Sequence, residues 1–533
     1  MWFWPGKSIS KEEQKLLNKE RLLLFLIWCF IIAAAVCLIN GLFLPFSNEL
    51  YHYPRTLVWL SFAGMLIIGK IVFERIQQRE DVSVRKSADW TERIVIVAML
   101  LVHLLAGYWM EYTPSGDNFM LYQASQTLAR DGAFEKGSDF LLYFGRYSNQ
   151  WGFLLLLTGI YRLLFLVGIQ NPFYPLVVLQ AVLYAAAFKS MFRIVAHFSG
   201  NRGRLLFGLT LVTCFPLYLA ASVLYTDTFS MPFVIFTLEA AVRVGTAKEM
   251  KKKAVWALLC GTMAFLGGQI KMTVLIVLIA ASICWLCTHT LRRAVLLIGA
   301  AGAVVGIGGG IVHATMLSSV LDRDIYRQEH TPVIHWIMMS IPSADNPYGG
   351  YYSRDYAVTW GMMDEGASHK EVMDSIYSRM KDKIYTLRYP NRLLLAILRK
   401  NSAAMTDGTF GMTEMLDDRP VRWNVISEIV LETGKGYRIY GAITTGIWMA
   451  QLFMAVLCAL SDLRRKEIQR SVFYVTCLGS ILFLMIWEAR SRYLFGFVPV
   501  YLMIPSVCEQ RNSLFKRTGV AGNKNKDGGG KSG

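Results

Sequence analysis

The sequence predicts an all-α polytopic membrane protein with about 12–13 transmembrane helices and two long extracytoplasmic loops. Of its 533 residues, 54% are hydrophobic and only 17% are charged, whereas about a quarter of a soluble chain is charged. The apolar residues come in blocks of roughly 17–25, the length that crosses a bilayer. These spans are expected to be helices, because backbone groups in lipid must find partners within their own segment.

The first predicted unit, residues 1–93, is a basic segment followed by two spans. The basic segment is Lys7–Arg21, and the spans are Leu22–Leu44 and Thr56–Phe73. The first apolar run is too long for the core of a signal peptide, so we interpret it as a retained span. Residues 74–93 are rich in Arg and Lys, which places them in the cytoplasm.

The predicted core, residues 94–315, contains the first extracytoplasmic loop, 111–150. The span Ile94–Met110 delivers this loop, in which Asn118–Arg130 has the pattern of a helix lying on the membrane surface. Two apolar runs follow, Trp151–Val167 and Pro172–Val195, and then the basic stretch FSGNRGR. Two full crossings from outside cannot end in the cytoplasm. Either Trp151–Val167 enters and leaves the membrane on the same side, or the rule that loops rich in Lys and Arg are cytoplasmic does not hold for FSGNRGR.

The remaining chain alternates spans with polar segments. Residues 316–438 hold no run long enough to cross a membrane, so they predict an extracytoplasmic subdomain, with helices near Ser368–Leu387 and Arg392–Met405. Residues 439–510 form the C-terminal spans, and the basic tail 511–533 is predicted to be disordered. The further predicted spans are Leu205–Leu224, Pro232–Val244, a hairpin Val255–Thr288 broken at residues 267–271, Ala294–Val312, Tyr440–Leu460, Val472–Trp487 and Leu494–Val507.

Charge and cysteine usage exclude some function classes. The net charge of +17 comes from Lys and Arg between spans, which is typical of membrane proteins, and no nucleic-acid-binding motif accompanies it. Cys284 and Cys287 have CxxC spacing but lie in an apolar run, so we interpret them as packing residues. We expect no nucleic-acid partner and no bound metal.

Several ionisable residues near the span ends map to the extracytoplasmic side. Charges at such a depth are costly and indicate function. Each also has a local explanation: Asp117 can cap the helix that follows it, Arg490 and Arg492 can snorkel, and Glu488 can pair with either arginine. The six residues are Asp117, Asp227, Lys271, Glu488, Arg490 and Arg492.

Two carboxylates and a basic group are the parts needed to transfer a group away from a phosphate. A carboxylate accepts a proton from the acceptor hydroxyl or amine. Arginine and lysine stabilise the charge that develops on the phosphate leaving group. A membrane protein can take a phosphate-bearing lipid directly from the bilayer.

Five stretches between Asp117 and Pro499 resemble the GT-C superfamily of integral membrane glycosyltransferases. That superfamily includes the protein O-mannosyltransferases and the lipid A aminoarabinose transferase. The stretches are PSGDN, RYSNQWGF, LYTDTFSMP, GGQIKMTVLI and WEARSRYLFGFVPV. The mannosyltransferases carry an acidic pair where this chain has Asp117 followed by Asn118, which disfavours protein mannosylation.

The resemblance implies a GT-C-like fold and inverting transfer of a sugar from a polyprenyl- or dolichyl-phosphate donor, with no cofactor. Asp117 corresponds to the catalytic base. Partners would be a glycan, lipid or protein acceptor and membrane lipids. The run of spans suits the plasma membrane of a bacterium, and the endoplasmic reticulum stays open as an alternative. The expected site consists of Asp117 and Asp227 as catalytic residues, Lys271, Arg490 and Arg492 on the phosphate, Glu488 (with Asp227) orienting sugar or basic groups, Tyr225 and Tyr493 as further substrate contacts, and Trp336 and Asn346–Asp355 on the acceptor side.

Two other functions remain open from the sequence. An envelope polysaccharide polymerase or ligase also has about a dozen spans and one long external loop, but depends mainly on basic residues in that loop. A non-enzymatic flippase or transporter would place charges through the bilayer midplane or show inverted repeats, and neither is visible.

Overall fold

The structure is a computed structural model that describes residues 11–414, 416 and 421–508, with side chains from residue 18 onward except at Ser222. The disordered tail predicted for 511–533, and the start of the basic N-terminal segment, lie outside the described residues. The first eight helices are α1 Lys11–Phe43, α2 Phe46–Tyr51, α3 Arg55–Gln77, α4 Asp81–Trp109, α5 Gly116–Asp131, α6 Asp139–Arg146, α7 Trp151–Leu166 and α8 Phe173–Val212.

Broken helices and a helical loop region follow. Short 3₁₀ turns, Ser148–Gln150, Ala220–Ser222, Met272–Val274 and Ser491–Phe497, lie where longer helices stop or resume. The other helices are α9 Phe215–Leu219, α10 Thr226–Thr246, α11 Met250–Ile270, α12 Leu275–Thr288, α13 Leu291–Ser319, α14 Arg323–Glu329, α15 Val333–Met339, α16 Ser353–Asp364, α17 His369–Thr386, α18 Pro390–Met405, α19 Val425–Val430, α20 Tyr437–Arg465, α21 Ser471–Ile486 and α22 Val498–Val507.

The predicted all-α polytopic architecture is confirmed. Eight helices of the described chain are long and apolar enough to cross a membrane: α1, α3, α4, α8, α10, α11, α13 and α20. Two shorter apolar helices, Met272–Thr288 and Ser471–Ile486, join them. The eight are fewer than the expected 12–13 because α8 merges two predicted spans across a bend at Gly200, where φ is 61° and ψ is −148°, and because α7, α12, α21 and α22 are short.

The geometry around α7 favours a re-entrant helix, so the basic stretch after it can still be cytoplasmic. Helix α8 begins where α4 ends, since the Tyr174 hydroxyl donates to Glu111 at 2.9 Å. It bends where α4 begins, since Arg202 pairs with Asp81 at 2.9 Å. Six residues separate α7 from α8, and they reach at most about 25 Å, less than the roughly 30 Å of a hydrocarbon core. The chain therefore returns from α7 to the end of the bundle where α7 begins, without a full crossing.

Aromatic packing holds the C-terminal helices against α1. The Phe30 ring of α1 lies 5.4 Å from Tyr474 of α21, and Trp448 of α20 lies 5.3 Å from Tyr501 of α22. Phe30, Tyr474 and Tyr501 are fully buried. In lipid, helix association depends on such close packing more than on the hydrophobic effect.

Small residues allow a close helix contact between α11 and α13. A Cβ added at Gly261 would lie 2.5 Å from the Ala301 carbonyl oxygen and 2.7 Å from its Cα. Backbone atoms cannot swing aside as a side chain can. The two helices must separate if the residue at this position gains a methyl group.

We expect Gly261→Ala to lower the thermal unfolding midpoint, with a cost of about 1–3 kcal/mol from overpacking. Gly299→Ala on α13 is the matched control, since its Cβ would meet nothing within 4 Å and alanine favours helix over glycine by about 1 kcal/mol. Fluorescence-detected size exclusion after heating measures both. Equal midpoints for the two variants would contradict the contact.

Candidate active site

A cavity of about 490 Å³ lies at the end of the bundle where α10 begins and α11 ends. Its walls come from the 111–150 loop, the break between α11 and α12, the 316–438 region and the segment after α21. Seven of the eight residues that the sequence proposes as catalytic or substrate-binding line it: Asp117, Tyr225, Lys271, Glu488, Arg490, Arg492 and Tyr493.

Asp227, the eighth, is buried behind the cavity wall as a counter-ion. It lies in the first turn of α10 and is 3% exposed. Its carboxylate forms an ion pair with Lys271, and its Oδ2 lies 3.9 Å from Arg492 Nε. The N-terminal end of α10 further stabilises the negative charge. Asp227 is therefore placed to orient two cations, and its carboxylate does not line the cavity.

Tyr493 holds the same two cations from another side. The Lys271 Nζ lies 4.1 Å from the Tyr493 ring centroid, and the Arg492 Cζ lies 5.3 Å from it. The Tyr493 hydroxyl donates to Glu488 at 3.1 Å. Cation–π contacts of this kind strengthen when the groups are desolvated, so the ring fixes both cations without neutralising them.

Arg490 is the more accessible arginine of the wall. Its side chain is 33% exposed; it forms an ion pair with Glu414, and its Nε lies 3.4 Å from Glu488. The preceding Ala489 amide donates to the Gly349 carbonyl at 2.9 Å. This backbone hydrogen bond joins the segment after α21 to the 316–438 region and helps to position Arg490 in the cavity wall.

Asp117 faces the cavity and does not cap α5. The N-cap of α5 is Ser115, so the expectation that Asp117 caps this helix is wrong. Gly116, with φ 53°, starts the helix. The Tyr225 hydroxyl lies 3.5 Å from Asp117 Oδ2, and Asp117 lines the cavity.

Phenols surround Asp117. The Gln150 amide donates to the hydroxyl oxygens of Tyr143, at 3.0 Å, and Tyr225, at 3.2 Å, so each phenol keeps its own hydrogen to donate. Burial, followed by the negative charge of Asp117, raises the pKa of Tyr143 and of Tyr147. These phenols therefore stay protonated and serve as hydrogen-bond donors at neutral pH.

An aromatic wall lines the cavity in addition to the charged wall, which is formed by Lys271, Glu488, Arg490 and Arg492. Tyr147, Trp336, Tyr351 and Tyr356 line it, and the Tyr147 ring lies 5.5 Å from Trp336. Tyr147 comes from the 111–150 loop and the other three from the 316–438 region. Sequence reasoning placed Trp336 and the Asn346–Asp355 stretch, which contains Tyr351, on the acceptor side, but did not single out Tyr147 or Tyr356.

Arg146 was missed as a site residue, although it belongs to the quoted RYSNQWGF stretch. It is 9% exposed and lines the cavity. It pairs with Glu329 at 2.8 Å and with Asp364, and its Cζ lies 4.4 Å from the Trp360 ring centroid. Arg146 thereby joins the two extramembrane regions that enclose the site.

Asp407 was also missed. It is 2% exposed and accepts hydrogen bonds from Ser491, at 2.8 Å, Tyr53, at 3.0 Å, and the Gly411 amide, at 3.0 Å. Ser491 lies between Arg490 and Arg492 in the chain. Asp407 therefore fixes the backbone that carries both arginines.

One flank of the cavity is apolar and open to the outside of the bundle. Ile270, Met272, Phe483 and Trp487 line this flank, and the Phe483 and Trp487 rings stack at 5.6 Å. Met272 is 61% exposed. An exposed apolar side chain at the end of membrane-spanning helices faces lipid.

Among the described residues, no group of three or more His, Cys, Asp or Glu side chains is placed to hold a metal ion.

The fold and the site define a multi-pass α-helical membrane protein with a charged cavity at one end of its bundle. The chain belongs to the family described as "Conserved hypothetical integral membrane protein", whose model matches residues 18–513. A search of the curated proteins gave no match. A similar solved structure is the crystal structure of ArnT from Cupriavidus metallidurans bound to undecaprenyl phosphate, at 13% identity and TM-score 0.32, covering 78% of this chain and 77% of that chain. A likeness of this size defines no activity.

A buried lysine lies next to the charged wall. Lys400 of α18 is 4% exposed and donates to the Ser340 carbonyl at 2.7 Å. Burial lowers the pKa of Lys400 to about 7, and the negative charge of Glu488 opposes that shift. Below pH 7 the folded protein holds a desolvated charge here, which lowers its stability.

We expect the contribution of Lys400 to stability to rise with pH from about 7 to about 10. In this window the folded lysine is neutral while the unfolded lysine is still protonated, so the unfolded state binds more protons. The measurement is the thermal midpoint of wild type minus that of Lys400→Met at pH 6.5 and 9.5. The difference should increase with pH, and a pH-independent difference would contradict the shifted pKa.

Proposed function

We propose that this protein is a membrane glycosyltransferase that moves a sugar from a polyprenyl-phosphate donor to an extracytoplasmic envelope acceptor. The observation that carries the proposal is the cavity itself. It combines the Asp117 carboxylate, a wall with Lys271, Arg490 and Arg492, and an apolar flank. A lipid-linked sugar phosphate needs these three surfaces.

In the proposed reaction, Asp117 accepts the proton of the acceptor hydroxyl or amine. The freed lone pair attacks the anomeric carbon of the sugar, and the bond from that carbon to the phosphate oxygen breaks. The products are the glycosylated acceptor and polyprenyl phosphate, and attack opposite the leaving group inverts the anomeric centre. Arg490, Arg492 and Lys271 stabilise the charge that develops on the phosphate.

The buried counter-ion supports this division of roles. Asp227 holds Lys271 and Arg492 at the wall, so their positions are fixed before the donor binds and no reorganisation is needed as charge develops. Arginine suits this position because its planar guanidinium can form two hydrogen bonds to a phosphate.

The apolar flank supports a lipid donor. Phe483, Trp487 and Met272 line the same cavity as the charged wall, and Met272 is 61% exposed. A prenyl chain can remain along this flank in the bilayer while its phosphate contacts the wall. The aromatic wall offers flat faces to the sugar ring, in keeping with pockets that combine aromatic lining and a few polar groups.

The contacts of the long loop disfavour the polymerase or ligase alternative. Two of its basic residues, Arg379 and Lys383, pair with the buried Asp355, at 3.3 Å and 2.5 Å. They hold α16 against α17 and do not line the cavity.

Asp117→Asn tests the base. The amide keeps the size of the side chain but cannot accept a proton at neutral pH. We expect a folded protein whose transfer rate falls by about 10²–10⁴, the usual range for a general base. The assay is sugar transfer from a polyprenyl-phosphate donor in proteoliposomes.

Asp131→Asn is the matched control, since it makes the same change at the exposed far end of α5. It should leave the transfer rate unchanged. Equal activity for Asp117→Asn and wild type would reject Asp117 as the base.

Arg490→Ala and Arg492→Ala test the phosphate wall. A hydrogen bond to a charged group is worth about 1.5–3 kcal/mol, so we expect donor affinity to fall roughly tenfold to a hundredfold for each. Arg75→Ala, at the exposed end of α3, should have no effect. The measurement is the dependence of the transfer rate on donor concentration, and wild-type dependence in both arginine variants would rule out the assignment.

A further inference from the structure

A second cluster of cations lies at the opposite end of the bundle from the cavity. Lys253 is in the first turn of α11, and Lys271 follows the last turn of the same helix. The 18 residue steps from Lys253 to Lys271 rise about 27 Å, close to the thickness of a hydrocarbon core. The cluster therefore lies near the other membrane surface.

His289 fixes two lysines of this cluster. Lys253 Nζ lies 2.7 Å from His289 Nε2, and Lys19 Nζ donates to the His289 carbonyl at 2.8 Å. An ammonium group only donates, so Nε2 accepts and the imidazole is neutral. Its Nδ1 then donates to the Thr288 hydroxyl oxygen, with 2.9 Å between the nitrogen and the oxygen. Burial, and then the charge of Lys253, lowers the pKa of His289. The histidine thus holds two ammonium groups without neutralising them.

The positive charge of the cluster has no carboxylate counter-ion among the side chains that the structure describes. Among the side chains that the structure describes, no carboxylate forms an ion pair with Lys19, Lys253, Arg292 or Arg293. Helices α11 and α13 also begin here, and helix N-termini add partial positive charge. Cations at this end of a helix are unfavourable unless an anion accompanies them.

We propose that Lys19, Lys253 and Arg293 bind the phosphate group of an anionic phospholipid in the leaflet at this end of the bundle. Three separate helices, α1, α11 and α13, supply the cations, as in basic pockets that bind lipid headgroups between transmembrane helices. The site does not depend on the proposed glycosyltransferase activity.

Exposed apolar side chains indicate that the phosphate belongs to a lipid. Val255 is 63% exposed, Leu291 67% and Val295 55%, and each lies two residues from Lys253 or Arg293 in the chain. Acyl chains would cover these side chains while the headgroup contacts the lysines. A free phosphate ion would leave them without a partner.

Native mass spectrometry of the purified full chain tests the site. The delipidated protein is titrated with phosphatidylglycerol or with phosphatidylcholine of the same acyl chains. Wild type should retain phosphatidylglycerol preferentially. The double variant Lys19→Gln/Lys253→Gln should bind it about thirtyfold more weakly, at about fivefold per lysine near an anionic headgroup.

Lys251→Gln/Lys252→Gln is the control, because it removes the same charge from two exposed neighbours, one of which already pairs with Glu249. It should retain wild-type lipid preference. An equal loss in the control would mean general surface attraction and would overturn the site. Displacement of the lipid by excess inorganic phosphate would assign the cluster to a soluble anion and would also overturn the proposal.

Size exclusion checks the fold of each variant. Arg293→Gln changes an exposed side chain at the start of α13 and gives a second test if the lysine double variant misfolds. It should weaken phosphatidylglycerol retention about fivefold, and an unchanged retention would contradict the proposal.

Discussion

The ion pair between Asp227 and Lys271, with Arg492 beside it, is the interaction on which the site depends. It joins the start of α10, the break after α11 and the 3₁₀ turn after α21. Removing one member of a buried ionic group leaves a partner charge uncompensated, which costs more than the pair itself contributes. The three segments therefore hold one another in place, and the cations cannot withdraw from the cavity wall.

This arrangement explains why two helices stop short at the cavity. Helix α11 ends at Ile270 and α21 at Ile486, and extended backbone follows each. Backbone outside a helix is tolerated at membrane depth only where it is covered by protein or lines a cavity. The Asp407 carboxylate supplies part of this protein cover, since it accepts hydrogen bonds from the Ser491 hydroxyl and the Gly411 amide.

Much of the fold could be predicted from local pattern. The hairpin break at residues 267–271 and the helices near 368–387 and 392–405 appear where composition changes, because a helix in lipid is defined by its own apolar run. The convergence of Asp117, Lys271 and Arg492 followed from their position at span ends on one side of the membrane.

The rest depends on pairs that are distant in sequence. Glu414 reaches Arg490 across 76 residues, and Arg146 reaches Glu329 across 183; no periodicity signals such contacts. Asp117 looked like a helix cap because it precedes an amphipathic run, yet Ser115 occupies that position. The number of crossings could not be predicted either, since the 16-residue apolar helix α7 has the composition of a span but does not make a full crossing.

The most direct test of the account is the structure of the full chain with a polyprenyl phosphate added. The phosphate is expected to lie within hydrogen-bond distance of Arg490, Arg492 or Lys271, and the prenyl chain is expected to run along Phe483 and Met272. Lipid bound outside the cavity, with the charged wall left empty at saturating ligand, would contradict it.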